Sequence, residues 1–195
     1  MLFTVYCRTN TPSFDTTATN FRRQNNLSYP INFLRNVARK QARTHFVMAS
    51  DIELYPSPNI IPKFVRMVAT INTTSRRVVF VVPSFHITNT LILPNTKGEL
   101  VKLIGDKKAF PLHEQACNTC HLVPNYATWI AAPSFNGRLE PVNWISRENI
   151  FDWEPEFIGT NADPWYHEHL VWEGRRGRAP QVKCHSVPFR LLCGW

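Results

Sequence analysis

The sequence predicts an α/β domain built around an open sheet. Two patterns carry that expectation. Helical and strand-like segments alternate through the first half of the chain, and Val78-Val79-Phe80-Val81-Val82 is an unbroken apolar run suited to a strand buried on both faces. The third observation is size: 195 residues, 44% apolar and 12% aromatic, suffice for one domain with a real core and exclude a disordered chain.

Element by element, residues 1–28, rich in Thr, Asn, Ser and Arg, read as a poorly ordered lead-in. From Ile31 to Arg43 the apolar residues Ile31, Leu34, Val37 and Ala38 recur at helical spacing, with Arg35, Arg39, Lys40 and Arg43 mostly off that stripe. His45-Phe46-Val47-Met48-Ala49, closed by Ser50-Asp51-Ile52-Glu53, suits a buried strand with polar groups at its carboxyl end. Ser57-Pro58 then offers an N-cap and a first helical residue, ahead of a stripe of Ile60, Ile61, Phe64, Val65 and Val68. The strand expected within Arg76–Phe85 should share a sheet with the strand ending at Ser50. Lys97–Ile104 reads as a short helix. From Phe110 to Trp153, prolines and tryptophans hide any regular pattern.

Composition narrows function by exclusion. No run of about 18 apolar residues occurs, so no segment reads as membrane-spanning, and Met1–Asn10 lacks the apolar stretch of a signal peptide. The net charge of +8 raises nucleic acid as a partner. The charges fall in two clusters, however: Arg22, Arg23, Arg35, Arg39, Lys40 and Arg43, then Arg175, Arg176, Arg178, Lys183 and Arg190. On an α/β protein such faces are solvated or hold phosphate or carboxylate, so nucleic acid is set aside.

Three short patterns carry chemistry. Asp51 and Glu53, separated by one residue at a strand end, point the same way, and two such carboxylates can hold a hard divalent cation against a diphosphate. Taken alone, such a pair more often caps a helix or sits in solvent. Cys117-Asn118-Thr119-Cys120-His121 spells the C-x-x-C-H of haem attachment. Yet Met48 and Met67 look like core rather than axial ligands, and no second C-x-x-C completes a zinc site. A disulfide, within the pair or from either residue to another cysteine, is favoured. Finally, Trp153-Glu154-Pro155-Glu156 and Tyr166-His167-Glu168-His169 set acids and aromatics side by side, as a sugar cleft requires and as an apolar loop also would.

Taken in order, these segments resemble a known family. Tyr29-Pro30-Ile31-Asn32-Phe33-Leu34-Arg35-Asn36-Val37-Ala38-Arg39 and the strand through Asp51-Ile52-Glu53-Leu54-Tyr55-Pro56-Ser57-Pro58 look like the YP-x-N-x-x-RN-x-AR helix and acid-x-acid strand of glycosyltransferase family 49, in its insect-type beta-1,4-glucuronyltransferase group. Trp153–Pro164 and Trp172-Glu173-Gly174 look like that group's WEP-x-FIGT-x-ADP and WEG, and the C-x-x-C-H has a counterpart there. The resemblance implies a GT-A-like fold, a Rossmann-like nucleotide-sugar binding sheet, over residues 29–175. It also implies an inverting transfer of glucuronate from UDP-glucuronate to a xylose-terminated O-mannosyl glycan on a dystroglycan-type glycoprotein. The setting is the Golgi lumen, where full-length relatives carry a type II anchor.

Residue by residue, the resemblance gives Asp51 and Glu53 as the Mn2+ site, Arg35 and Asn36 as donor contacts and Trp153 and Glu154 as acceptor contacts. Glu168 is the candidate base that takes the acceptor proton. Arg35 is expected to balance the diphosphate rather than pair with the acids. Cys117 and Cys120 are disulfide candidates, and Asn26 and Asn72 lie in N-glycosylation sequons. Three departures stand out. Relatives show Y-D-E-R where this chain has Tyr166-His167-Glu168-His169; the family's first strands have no counterpart before Tyr29; and residues 176–195 form a divergent basic tail in which His185 finds no matching neighbours. The incomplete GT-A-like domain leaves a catalytically inactive, lectin-like remnant as the alternative reading.

Overall fold

The computed structural model describes residues 6–7, 24–51, 54–71, 78–88, 93–134, 137–145, 153–171 and 189–193. Among them the chain runs through β1 (Tyr6–Cys7), α1 (Ile31–Gln41), β2 (Phe46–Val47), α2 (Ile60–Ala69), β3 (Val79–Val82) and β4 (Phe85–Ile87). It continues through α3 (Lys97–Gly105), β5 (Ala109–Pro111), α4 (Tyr126–Ala131), β6 (Glu140–Ile145), β7 (Glu156–Thr160) and β8 (Phe189–Cys193).

Five strands form a sheet in the order β2-β7-β3-β8-β6, and β1-β4-β5 form a smaller one. Val47 and Val81 share the larger sheet, as the sequence predicts, but they are not neighbours: β7 runs between their strands, antiparallel to both. Only β3 and β8 pair in parallel within it. The sheet is therefore mixed and mainly antiparallel. The strand between β2 and β3 comes from far along the chain, at Glu156–Thr160. The apolar run through Phe85 is also divided. Pro83 brings no N–H to a ladder, and the chain leaves β3 for β4 in the other sheet.

β3 is the hub of the core. Its side chains alternate: Val79 and Val81 join Phe85, Leu100, Trp129 and Trp153 on one face, while Phe80 and Val82 join Ile60, Phe64, Met67 and Ile158 on the other. Phe64 meets Phe80 edge-on at 5.2 Å and Phe46 at 5.0 Å. Each such ring contributes about 2–3 kcal/mol by leaving water.

The helices depart from the sequence reading in informative ways. α2 begins at Ile60, two residues beyond the expected Pro58 start, because Asn59 takes a left-handed φ of 55° and turns the chain there. Its core face is Ile60, Phe64 and Met67, while Ile61 and Val65 of the expected stripe are exposed. α3 starts as expected, with Thr96 accepting from the Glu99 amide and the Glu99 carboxylate accepting from the Asn95 amide. Lys97 is buried at its first turn, and its ammonium donates to the carbonyls of Trp129 and Ala132, closing the carboxyl end of α4.

α1 is turned over. Ile31 is buried, but Leu34, Val37 and Phe33 are exposed, and the buried positions are Asn32, Asn36 and Arg39. The predicted apolar stripe is thus not the packing face. Among the described residues no helix is long and apolar enough to cross a membrane.

Candidate active site

Asn32, Arg35, Asn36 and Arg39 fall at i, i+3, i+4 and i+7, which is one face of a helix. That face packs on the carbonyl-rich segment after β7, and this is why it is polar. Buried backbone groups there need donors, and a helix presenting amides and guanidiniums supplies them. Asn32 donates its amide to the His167 carbonyl at 3.0 Å. Arg39 donates to the carbonyls of Pro164 (2.7 Å), Asp163 (2.9 Å) and Thr160 (3.1 Å), with its guanidinium 4.9 Å from the Trp165 ring. Burial pulls the Arg39 pKa down, with Tyr166 and Asp163 opposing, so these carbonyls do the work usually left to a carboxylate.

Asn36 is the hinge of the site. Its amide donates to the Tyr166 carbonyl (2.9 Å) and to the Glu168 carboxylate (2.8 Å), while its oxygen accepts from the Tyr166 amide (2.9 Å). Next to it, Arg35 donates to Asp51 at 3.2 Å and to Asn32 at 3.2 Å, its guanidinium lying 5.4 Å from the Tyr166 ring. Two adjacent residues of one helix therefore hold two acids, one following β2 and one 132 residues further along than Asn36. Between them the Tyr166 phenol is buried. Burial raises its pKa, Arg35 and Arg39 oppose that, and Asp51 adds to it, so the phenol stays neutral well past physiological pH.

The sequence-predicted residues divide between this site and elsewhere. Arg35, Asn36, Asp51 and Glu168 come together. Against expectation Arg35 pairs with Asp51, because both side chains are largely withdrawn from water, at 10% and 27% exposed, and each needs a counter-charge. Trp153, expected to stack on an acceptor sugar, is 1% exposed and packed among Val79, Phe85 and Trp129 on the β3 hub, so neither face of its indole is open. Glu154 is half-buried and anchored through its amide to the Cys120 carbonyl at 2.6 Å. Cys117 and Cys120 are joined in a disulfide. Asn26 is exposed in a left-handed turn. Glu53 and Asn72 lie outside the described residues.

Sequence reasoning gave no site role to Asn32, Arg39, Asp163 and Gly159, and read Tyr166 only as an aromatic beside acids. The signal for the first two was present in the polar i, i+3, i+4, i+7 spacing, which a search for apolar stripes passes over. Gly159 serves close approach: a methyl group there would sit 2.6 Å from the Asp163 carboxylate, which accepts from the Thr160 amide and hydroxyl.

The donor set can be judged against a divalent cation. Asp51 is a hard oxygen ligand of the right type, but its neighbour is a guanidinium, and among the described residues no three His, Cys, Asp or Glu side chains cluster. The fit is one of ligand chemistry at Asp51 alone among the described residues.

Residues 4–187 match the family model described as glycosyl-transferase for dystroglycan, which sets the class of protein. The chain belongs to that family, glycosyltransferase family 49. It is 33% identical over 176 residues to beta-1,4-glucuronyltransferase 1 of Danio rerio, a match that takes in 88% of this chain and 39% of the relative. The same protein of Homo sapiens is 28% identical, over 89% of this chain and 41% of its own length. Xylosyl- and glucuronyltransferase LARGE2 of Mus musculus is 31% identical, over 84% of this chain and 23% of its own length. The chain thus spans about two fifths of the length of the beta-1,4-glucuronyltransferases it matches.

Proposed function

We propose that this chain carries the reaction centre of an inverting glucuronyltransferase of the GT-A type. It would transfer glucuronate from UDP-glucuronate to a xylose-terminated O-mannosyl glycan on a glycoprotein in the Golgi lumen. The observation that carries the reading is the convergence on α1: Arg35 holds Asp51 and Asn36 holds Glu168, so the loop after β2, where the sequence predicts a strand end, and the second acidic segment meet on one helix face. The names of the relatives, glucuronyltransferases and a xylosyl- and glucuronyltransferase, support the sugar chemistry.

In this reading the acceptor hydroxyl oxygen bonds to the anomeric carbon of glucuronate from the face opposite UDP. The bond from that carbon to the diphosphate oxygen breaks with its electron pair, and the acceptor proton passes to the Glu168 carboxylate. Asn36 fixes that carboxylate by donating to one of its oxygens, which leaves the other for the proton. Mn2+, held by Asp51 and Glu53, would supply positive charge beside the departing diphosphate. Arg35, which pairs with Asp51 in this structure, would be the guanidinium available to the donor's phosphates or carboxylate with Asp51 engaged by the cation.

Equilibrium binding of UDP with Mn2+ and with chelator tests this directly. The parent chain should bind UDP only with the metal, and Asp51→Asn should lose that binding while keeping its fold. Equal UDP binding by Asp51→Asn at saturating Mn2+ removes the metal assignment. Xyloside binding by a parent chain that ignores UDP points to the lectin-like remnant instead.

A further inference from the structure

A groove of about 520 Å3 opens between α2 and the start of β6. None of its lining residues belongs to the site on α1, so the groove is a separate place. Lys63, Arg66 and Thr70 line one wall, Arg138 and Glu140 the other, with Met67, Leu139 and Pro141 forming an apolar lining. Three cations face one acid. Arg138 reaches Glu140 at 3.7 Å, and among the described residues neither Lys63 nor Arg66 makes an ion pair. Partial burial and the neighbouring Arg66 both pull the Lys63 pKa down, which is the signature of a cation short of counter-charge.

We infer that this groove binds an acidic saccharide, with its anionic group between Lys63 and Arg66. The inference rests on the reading of the chain as a glycan-acting enzyme and extends it to a second contact with the glycan. The lining argues for a sugar rather than a bare anion. Pro141, half-buried at the groove, offers the C–H face of a pyranose an apolar surface, and the Glu140 carboxylate can accept from hydroxyls. The Thr70 hydroxyl already donates to the Met67 carbonyl at 2.7 Å, so toward a ligand it acts as an acceptor of a sugar hydroxyl proton. A nucleotide fits poorly, because no aromatic ring lines the groove among the described residues to stack on a base.

The test is 15N-resolved NMR titration of the full chain with 4-nitrophenyl β-D-glucuronide, compared with its uncharged counterpart, 4-nitrophenyl β-D-glucoside. The glucuronide should shift the amides of residues 63–70 and 138–141 saturably and weaken with added salt, and the glucoside should bind at least tenfold more weakly. The double variant Lys63→Gln with Arg66→Gln should lose at least tenfold in glucuronide affinity with unchanged UDP binding. Lys63→Arg with Arg66→Lys should retain affinity and control for folding. Equal binding of glucuronide and glucoside, full affinity in the Gln variant, or inorganic sulfate binding as tightly as the glucuronide each overturns the inference. A parent chain that ignores UDP yet passes this titration loses the transferase reading and keeps the groove.

Discussion

Arg35 and Asp51, sixteen residues apart, meet at 3.2 Å where the loop after β2 crosses the polar face of α1. With the side chains 10% and 27% exposed, this pair is more withdrawn than a surface bridge, and the loss of one partner strands the other's charge. Arg35→Gln should therefore destabilise the chain by about 1–2 kcal/mol, and adding Asp51→Asn should recover part of that loss. A double-mutant cycle from urea midpoints measures it, with a coupling of about 1 kcal/mol expected. Strict additivity of the two changes would mean that the pair contributes nothing to the fold.

Asn36 satisfies both backbone groups of the buried Tyr166 and one oxygen of Glu168. Asn36→Ala leaves an amide and a carbonyl without partners in the interior, at about 1–3 kcal/mol for each group, so a total of about 2–6 kcal/mol is expected. Thermal unfolding checks this as a fall in Tm of several degrees. Asn36→Asp keeps the acceptor but sets a carboxylate against Glu168. Its deficit should grow as pH rises through the carboxylate range, since ionisation is disfavoured only in the folded state. A deficit independent of pH between 3 and 7, within this roughly four-unit span of carboxylate titration, would remove Glu168 from contact with position 36.

The sequence revealed the parts of this molecule that depend on local pattern and concealed those that depend on distant partners. Val79–Val82 was legible because a strand buried on both faces has to be apolar throughout. Lys97–Ile104 was legible as a helix because its start is set locally, by Thr96 capping the Glu99 amide. The insertion of β7 between β2 and β3 was not, as nothing in Phe46-Val47 says which strand will pair with it. α1 misled for a related reason. Its Leu34 and Val37 have the spacing of a core stripe, yet they are exposed, while Arg39 is buried against carbonyls that only the folded 160–164 segment provides. Within the site, the family resemblance picked out Asp51, Arg35, Asn36 and Glu168 as residues. That Arg35 and Asp51 pair, and that Trp153 is core, follow from burial, which a motif does not record.

Gly159 needs space rather than an unusual backbone. Gly159→Ala would bring a methyl group to 2.6 Å from an Asp163 oxygen that is fixed by the Thr160 amide and hydroxyl. The carboxylate has to give way or the strand has to shift, at about 1–3 kcal/mol. Removing the obstacle separates the causes: Gly159→Ala combined with Asp163→Ala should cost less than the sum of the single changes. Chemical denaturation of the four proteins reads this out, and a sum that is simply additive would place the cost of Gly159→Ala elsewhere.

The alkaline limb of stability provides the last test. The Tyr126 phenol is pushed up to about 12, first by burial and then by the Glu114 charge. Its unfolded value is about 10. Between these values the folded chain holds a proton that the unfolded chain has lost, so stability is intact below about pH 10 and falls as pH rises from there. The phenol is only partly shielded from water, so the swing is about 1–2 kcal/mol after allowance for screening. Tyr126→Phe removes this dependence. It also removes a buried hydroxyl that has no hydrogen-bond partner among the described residues, and so should be neutral or slightly stabilising at pH 7. Lys63, whose pKa burial and Arg66 hold down, acts with the opposite sign, but it is common to both proteins and drops out of the difference. Urea unfolding of parent and variant at pH 8 and at pH 11, about midway in the roughly 10-to-12 window, should show curves that separate only on the alkaline side. Parallel alkaline limbs would mean that Tyr126 titrates as it does in the unfolded chain, and that the packing of its ring against Trp129 at 6.1 Å does not keep water from its hydroxyl.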